Sequence, residues 1–362
     1  MGGICGIVKW GGAVELWELE RMVKEAGYRG VDGFGYWRHE GVGLGSLRHW
    51  QTKESYGERD PAQEGLAVVT SDARLDNREE LIEALEEAGY RVGEEATDEE
   101  LILKSYQCWG ERSGERLLGD FSFAIWDGVK RRLYGARDAM GMRPFYYREE
   151  GSRFLFASEI QQILVQPGVP VRIHELAVGA HLAGVFGEQE WTFYEGIRQL
   201  RAGHAVVVEE GGIRTWRYWE AGGGERIRYR REEEYWEHFR ELFREAVRCR
   251  LRSEKPAGIS LSGGMDSGSV ASMAGWLRAR GEAGCRELRA YCWAFKELKE
   301  CDEREISDEI VRHYGIALTE VDAEEAWPLK GYPEHGPHRD EPYFGVYQAL
   351  IEKTLAIARD DG

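Results

Sequence analysis

Ala257-Gly258-Ile259-Ser260-Leu261-Ser262-Gly263-Gly264-Met265-Asp266-Ser267-Gly268-Ser269-Val270 is the stretch whose reading decides the fold. Its opening residues, small and apolar, spell a short strand. A Ser/Gly-rich turn follows, and Ala271, Met273, Ala274 and Leu277 carry the chain on as a helix. Glycine at 263 and 264 lets main chain approach a ligand closely, because no Cβ intervenes. The helix begins with unpaired N–H groups and the positive end of its dipole, which together favour an anion. Ser262, Ser267 and Ser269 add hydroxyl donors, and Asp266 is an acid that a metal ion can bridge to phosphate. No Lys follows the second glycine, so this is not the GxxxxGK[ST] loop; nor is it GxGxxG.

Downstream, Leu288 to Phe295 and Ala317 to Val321 read as further strands. Helices are expected from Glu232 to about Arg252, from the turn to about Gly281, from Cys301-Asp302-Glu303-Arg304-Glu305 to Tyr314 with Gly315 ending it, and from Tyr347 to Ala358. Alternating strands and helices imply a parallel, doubly wound sheet with ligands at the carboxyl ends of its strands. The order S-G-G-x-D-S resembles the pyrophosphate-binding loop of ATP pyrophosphatases, which make an acyl-adenylate and release pyrophosphate. That resemblance implies that Leu261, Ser262, Gly263, Gly264, Asp266, Ser267 and Gly268 bind ATP, that Asp266 holds Mg²⁺, and that Leu261 and Ala294 neighbour the adenine. On residue type alone, Leu261 and Ala294 are equally core residues.

In the first half, Ile4 to Trp10 reads as a strand and Val14 to Ala26 as a helix with Leu16, Leu19, Met22 and Val23 on one face. A glycine-rich turn from Tyr28 leads to a strand at Trp37, and strands follow at Gly43 to Arg48 and Leu66 to Thr70. Thr97 caps a helix reaching Cys108, and Gly119 to Asp127 pairs with Arg132 to Asp138. Many short strands with a few helices suggest an α+β sandwich. In order, these segments resemble the glutaminase domain of class II glutamine amidotransferases, as fused in asparagine synthetases. The resemblance rests on Cys5-Gly6-Ile7, Arg29-Gly30-Val31-Asp32-Gly33, Gly141 to Tyr147, Ala157-Ser158-Glu159, Tyr194 to His204 and Arg217-Tyr218-Trp219.

The family resemblance implies an N-terminal-nucleophile αββα sandwich over 1-220 and a linker over 221-231. An incomplete α/β ATP-binding domain, the N-terminal part of the asparagine synthetase type, is implied over 232-362. Cys301 to Arg304, Ala326 to Leu329 and Asp340 to Tyr343 resemble segments of bacterial asparagine synthetase-like proteins, lasso-peptide cyclases included. The family's next strand, its Gly-Asp-Glu segment and its long helical region have no counterpart before Gly362, so either the polypeptide is incomplete or a second chain supplies the remainder as a partner.

Glutaminase chemistry of this kind needs Cys as residue one, its free α-amine serving as base. Cys5 is the candidate nucleophile, yet Gly2-Gly3-Ile4 stand ahead of it even without Met1. The family's oxyanion-hole Asn-Gly is matched by Asp72-Ala73, and a carboxylate there opposes a developing oxyanion. Arg48 matches the residue that pairs with the glutamine carboxylate, and Asp98 the one that takes its amine. Read by type alone, Cys5 is a small buried strand residue, Arg48 a surface arginine and Asp98 a helix N-terminal acid.

A net charge of −17, from 48 basic and 65 acidic residues interspersed, disfavours nonspecific nucleic-acid binding. Six scattered cysteines support neither a zinc site nor a disulfide framework. With no signal-like start and no membrane-length apolar run, a cytoplasmic protein is expected. The leading functional expectation is an ATP-dependent amide-forming ligase using ATP, Mg²⁺ and a small-molecule or peptide carboxylate, with glutamine as a possible nitrogen donor. Its rivals are a lasso-peptide cyclase-like macrolactam synthetase with an inactive glutaminase domain, a truncated non-catalytic remnant, and a glutaminase alone.

Overall fold

Apolar residues at alternate positions build two facing sheets in the first part of the chain. The computed structural model describes residues 1–362 except 60, 94, 186, 223, 225, 327–329, 332–339, 342–344 and 346. One antiparallel sheet runs in the order β10 (Arg198–Gln199), β8 (Tyr146–Glu150), β9 (Arg153–Ala157), β1 (Gly3–Lys9), β3 (Val42–Arg48), β2 (Gly33–His39). The other runs β12 (Gly212–Arg217), β11 (His204–Glu209), β7 (Arg132–Arg137), β6 (Gly119–Asp127), β5 (Ala67–Leu75), β4 (Ala62–Glu64). Ile4, Val8, Leu44 and Phe156 of the first sheet meet Val68, Ala124, Leu133 and Val206 of the second in one core.

Each sheet carries helices on its outer face. Leu19 and Val23 of α1 (Leu16–Glu25) and Ile163 of α4 (Ile160–Leu164) pack with Ile7 on the first. Leu81 of α2 (Arg78–Glu87) and Leu101 of α3 (Asp98–Trp109) pack with Phe121 and Phe123 on the second. The result is the expected αββα sandwich. Thr97 caps α3 as read, its hydroxyl accepting the Glu100 N–H while the Glu100 carboxylate takes the Thr97 N–H. A further helix, α5 (Glu175–Leu182), and α4, β11 and β12 were not assigned as elements from sequence.

The second part is α6 (Glu232–Arg250), β13 (Ala257–Ser260), α7 (Met265–Ala279), β14 (Leu288–Ala294), α8 (Arg304–Tyr314), β15 (Ala317–Asp322) and α9 (Gln348–Asp360). Its sheet is parallel, β13-β14-β15, three strands among the described residues. Ile259, Leu261, Ala271, Ala274, Leu277, Ala290 and Val311 form the core between sheet and helices. A Cβ at Gly275 would lie 2.5 Å from the Tyr314 ring, so glycine there lets α7 and α8 pack closely. Gly315 ends α8 at φ +62°, the left-handed cap that residue type favours.

By contacts, one unit comprises Met1–Trp50, Glu54–Gly224 and Arg339–Glu341, and the other Gln51–Lys53, Glu225–His338 and Pro342–Gly362. Two of the expected linker residues, and positions 327–329 and 342–343 of the resembling segments, lie outside the described residues. Asp340 of the same segments accepts the Ile160 N–H at 2.9 Å, at the start of α4 in the first unit. No helix among the described residues is long and apolar enough to cross a membrane.

Candidate functional site

The turn after β13 is built from its own hydroxyls. Ser262 N–H donates to Ser267 Oγ at 3.0 Å, the two hydroxyls meet at 2.9 Å, and Gly264 N–H donates to Ser262 Oγ at 3.2 Å. Gly263 N–H instead donates to Glu303 Oε2, 3.0 Å away, just ahead of α8. Three consecutive amides, each donating to a different side-chain oxygen, thus lie just ahead of the N-terminus of α7, where Gly264 provides no side-chain cap. A Cβ at Gly263 would lie 2.7 Å from Glu303 Cβ and 3.1 Å from its carbonyl oxygen, so this position needs glycine. Gly268 is buried, its missing Cβ facing Ile310 Cδ1 at 3.1 Å, which seats the first turn of α7 against α8.

Leu261 and Ala294 are both buried, the first in the core under the turn and the second at the end of β14. Their placement at the carboxyl ends of neighbouring strands agrees with both readings of them, core residue and base neighbour. Asp266 is exposed in the first turn of α7 and makes no ion pair among the described residues. No group of three or more His, Cys, Asp or Glu among the described residues forms a metal cage. Magnesium is ordinarily held by one or two carboxylates plus phosphate oxygens, and a single free carboxylate beside the amide turn fits that pattern.

Cys5 belongs to the first unit. The residue is 0% exposed in the middle of β1, paired with Gly45 on one side and Ala157 on the other. Its sulfur fills the core beneath α1; a Cβ at Gly45 would lie only 2.7 Å from it. The sequence signal was ambiguous because a Cys-Gly-Ile strand reads alike as core and as nucleophile.

Charged groups gather around the residues at the start of β1. Gly2 is buried, its carbonyl accepting from Arg29 Nη1 at 3.1 Å, and a Cβ on it would sit 3.3 Å from Asp72 Oδ1. Burial lowers the pKa of the Met1 amine, with Asp72 opposing the shift. Asp72 forms a buried ion pair with Arg143 at 3.6 Å, and Asp72 Oδ2 has no hydrogen-bond partner among the described residues. A negative group thus occupies the position expected to stabilise an oxyanion.

Asp98 stands at the start of α3. It is buried, ion-paired with Arg78 and accepting the Leu75 N–H at 3.0 Å. Arg48 donates to the Phe34 carbonyl. Beside these lie Glu58, which the sequence reading passed over, and Glu99, legible there only as an acid in the first turn of α3. Burial, followed by the charges of Glu99, Asp98 and Asp72, pushes Glu58 up to about 9. Burial also raises Glu99 to about 7, against the Arg59 N–H that donates to it at 2.7 Å. Single acids in an acid-rich chain carry no sequence signal of burial. Arg143 was visible inside the Gly141 to Tyr147 segment but had no role read for it.

A raised carboxyl pKa means the folded state binds more protons than the unfolded one. Stability therefore falls as pH rises from about 4.5 through about 9, where Glu58 ionises in the folded chain. Glu58→Gln is expected to raise the thermal midpoint at pH 8 and to leave it nearly unchanged at pH 4. Parallel melts of variant and wild type check this; equal shifts at both pH values contradict it.

Residues 1–219 match the glutamine amidotransferase domain family, and residues 238–356 match the asparagine synthase family. The chain belongs to the asparagine synthetase family. It is 30% identical over 302 residues to asparagine synthetase (glutamine-hydrolyzing) 3 of Bacillus subtilis, covering 77% of this chain and 47% of that one. To putative asparagine synthetase (glutamine-hydrolyzing) 2 of Methanocaldococcus jannaschii it is 29% identical, over 75% of this chain and 56% of the other. Amidase chry2 of Gibberella zeae is 28% identical over 85% of this chain and 47% of its own length. The chain spans about half the length of these relatives.

Proposed function

We propose that the chain is the amidotransferase-like and nucleotide-binding part of a cytoplasmic, ATP-dependent amide-forming ligase. A carboxylate attacks the α-phosphate of ATP, the acyl-adenylate forms as pyrophosphate leaves, and an amine or ammonia then opens it. One observation carries the reading: three consecutive N–H groups lie in a hydroxyl-rich turn at the carboxyl end of a parallel strand, beside the start of α7, and one of them already holds a carboxylate oxygen. Such donors stabilise the charge that builds on a departing pyrophosphate. Ser262, Gly263, Gly264, Ser267 and Gly268 form that cradle, Leu261 and Ala294 wall the base, and Asp266 would hold Mg²⁺, which supplies charge neutralisation on the phosphates. The relatives' names support this ligase reading over the macrolactam-forming and remnant ones.

Exchange of label between pyrophosphate and ATP in the presence of a carboxylate substrate tests it. Asp266→Ala is expected to abolish the exchange; unchanged exchange rejects the role given to the turn.

The first unit, by this proposal, keeps the amidotransferase frame without hydrolysing glutamine as encoded. Cys5 is enclosed, and Asp72 stands where an oxyanion would need donors. No glutamate release is expected from the purified chain with glutamine. Release that disappears in Cys5→Ala refutes this.

A further inference from the structure

Of the three amides in the turn, two are satisfied by the turn's own serines, whereas Gly263 N–H points to an anion from another element. Glu303 immediately precedes α8, whose N-terminus has no side-chain cap. Its carboxylate is exposed, and among the described residues it makes no ion pair. The adjacent Arg304 is already taken by Asp302 and Glu320, at 2.6 Å each. The negative group is therefore held by one main-chain N–H and by the positive ends of α7 and α8, with no cation of its own. A phosphate oxygen on the same amide needs the same donor.

We propose that Glu303 is a resident competitor for the Gly263 amide, holding the turn in the free protein and leaving it when the pyrophosphate group of a nucleotide arrives. The inference rests on reading the turn as the nucleotide site. Glu303 departs without breaking a buried contact, because its side chain is on the surface. While the carboxylate is seated, the fraction of protein ready for ligand is lowered and apparent affinity falls by that fraction. A carboxylate left beside bound phosphate would also repel it, so displacement and binding are coupled. Glu303 thereby tunes affinity at the turn without touching the reacting atoms.

Calorimetric titration of the full chain with inorganic pyrophosphate and with ATP tests this, using wild type, Glu303→Ala, Glu303→Gln and Gly263→Val. Both Glu303 variants are expected to bind pyrophosphate about three- to tenfold more tightly than wild type, while Gly263→Val loses binding. In the ligand-free protein the Gly263 amide resonance is expected to move in Glu303→Ala, a readout independent of affinity. Equal affinities in wild type and both Glu303 variants, with binding still lost in Gly263→Val, overturn the competitor and leave the turn as the site. Weaker binding in Glu303→Ala also overturns it, by giving Glu303 a supporting role. No binding in any protein, or binding indifferent to Gly263→Val, overturns the nucleotide site and the competitor with it.

Discussion

Gly263→Val is expected to cut ATP–pyrophosphate exchange by about a hundredfold or more, the loss typical when one donor to a developing charge is removed. The reason is steric before it is electrostatic. A single carbon added at 263 already falls 2.7 Å from Glu303 Cβ and 3.1 Å from the Glu303 carbonyl, and a branched side chain adds to both contacts. Either the turn or the chain ahead of α8 has to shift, and with it the aim of the Gly263 amide. The scaffold should survive, because the residue is partly exposed and Ile259, Leu261 and Ala271 under it are untouched. Exchange rates paired with a circular-dichroism melt separate the two effects. A folded variant that exchanges at the wild-type rate contradicts the account.

Arg78→Ala is expected to destabilise the first unit by about 3–5 kcal/mol, the usual cost of removing one partner from a buried ion pair. Arg78 and Asp98 are both buried, and the guanidinium also donates to the Ala96 carbonyl. Removing it takes the Arg78 charge away from Asp98 where Glu58 and Glu99 already crowd negative groups together. The double variant Arg78→Leu/Asp98→Leu should recover a large part of the loss, since an apolar pair of similar volume carries no desolvated charge. Urea unfolding of the single and double variants measures both. A loss below about 1 kcal/mol for Arg78→Ala would mean that solvent screens the pair as at a surface.

How much of this could be read from residues alone differs sharply between the two parts. Ala257 to Val270 announced strand, turn and helix because apolar periodicity changes where the glycines stand, and the structure places β13, the turn and α7 there. Gly315 and Thr97 marked helix ends through local chemistry, a left-handed cap and a hydroxyl acceptor, which need no distant partner. What escaped were relations between residues far apart. Glu303 reaches Gly263 across 40 positions, and Arg78 finds Asp98 across 20, neither pairing being written in any spacing. The two readings of Cys5 stayed open for the same reason. Its strand is plain from Ile4, Ile7 and Val8, but which face the sulfur takes depends on Gly45 leaving room for it. The strands β11 and β12 went unassigned although Ala205 to Val208 is an apolar run, because a short run reads alike as buried strand or core helix.

The most direct measurement is the structure of the full chain with a non-hydrolysable ATP analogue and Mg²⁺. The account predicts the terminal phosphates within hydrogen-bond distance of the Gly263 and Gly264 amides, with the Glu303 carboxylate turned away from Gly263. An analogue bound elsewhere, with Gly263 N–H still on Glu303, would contradict it.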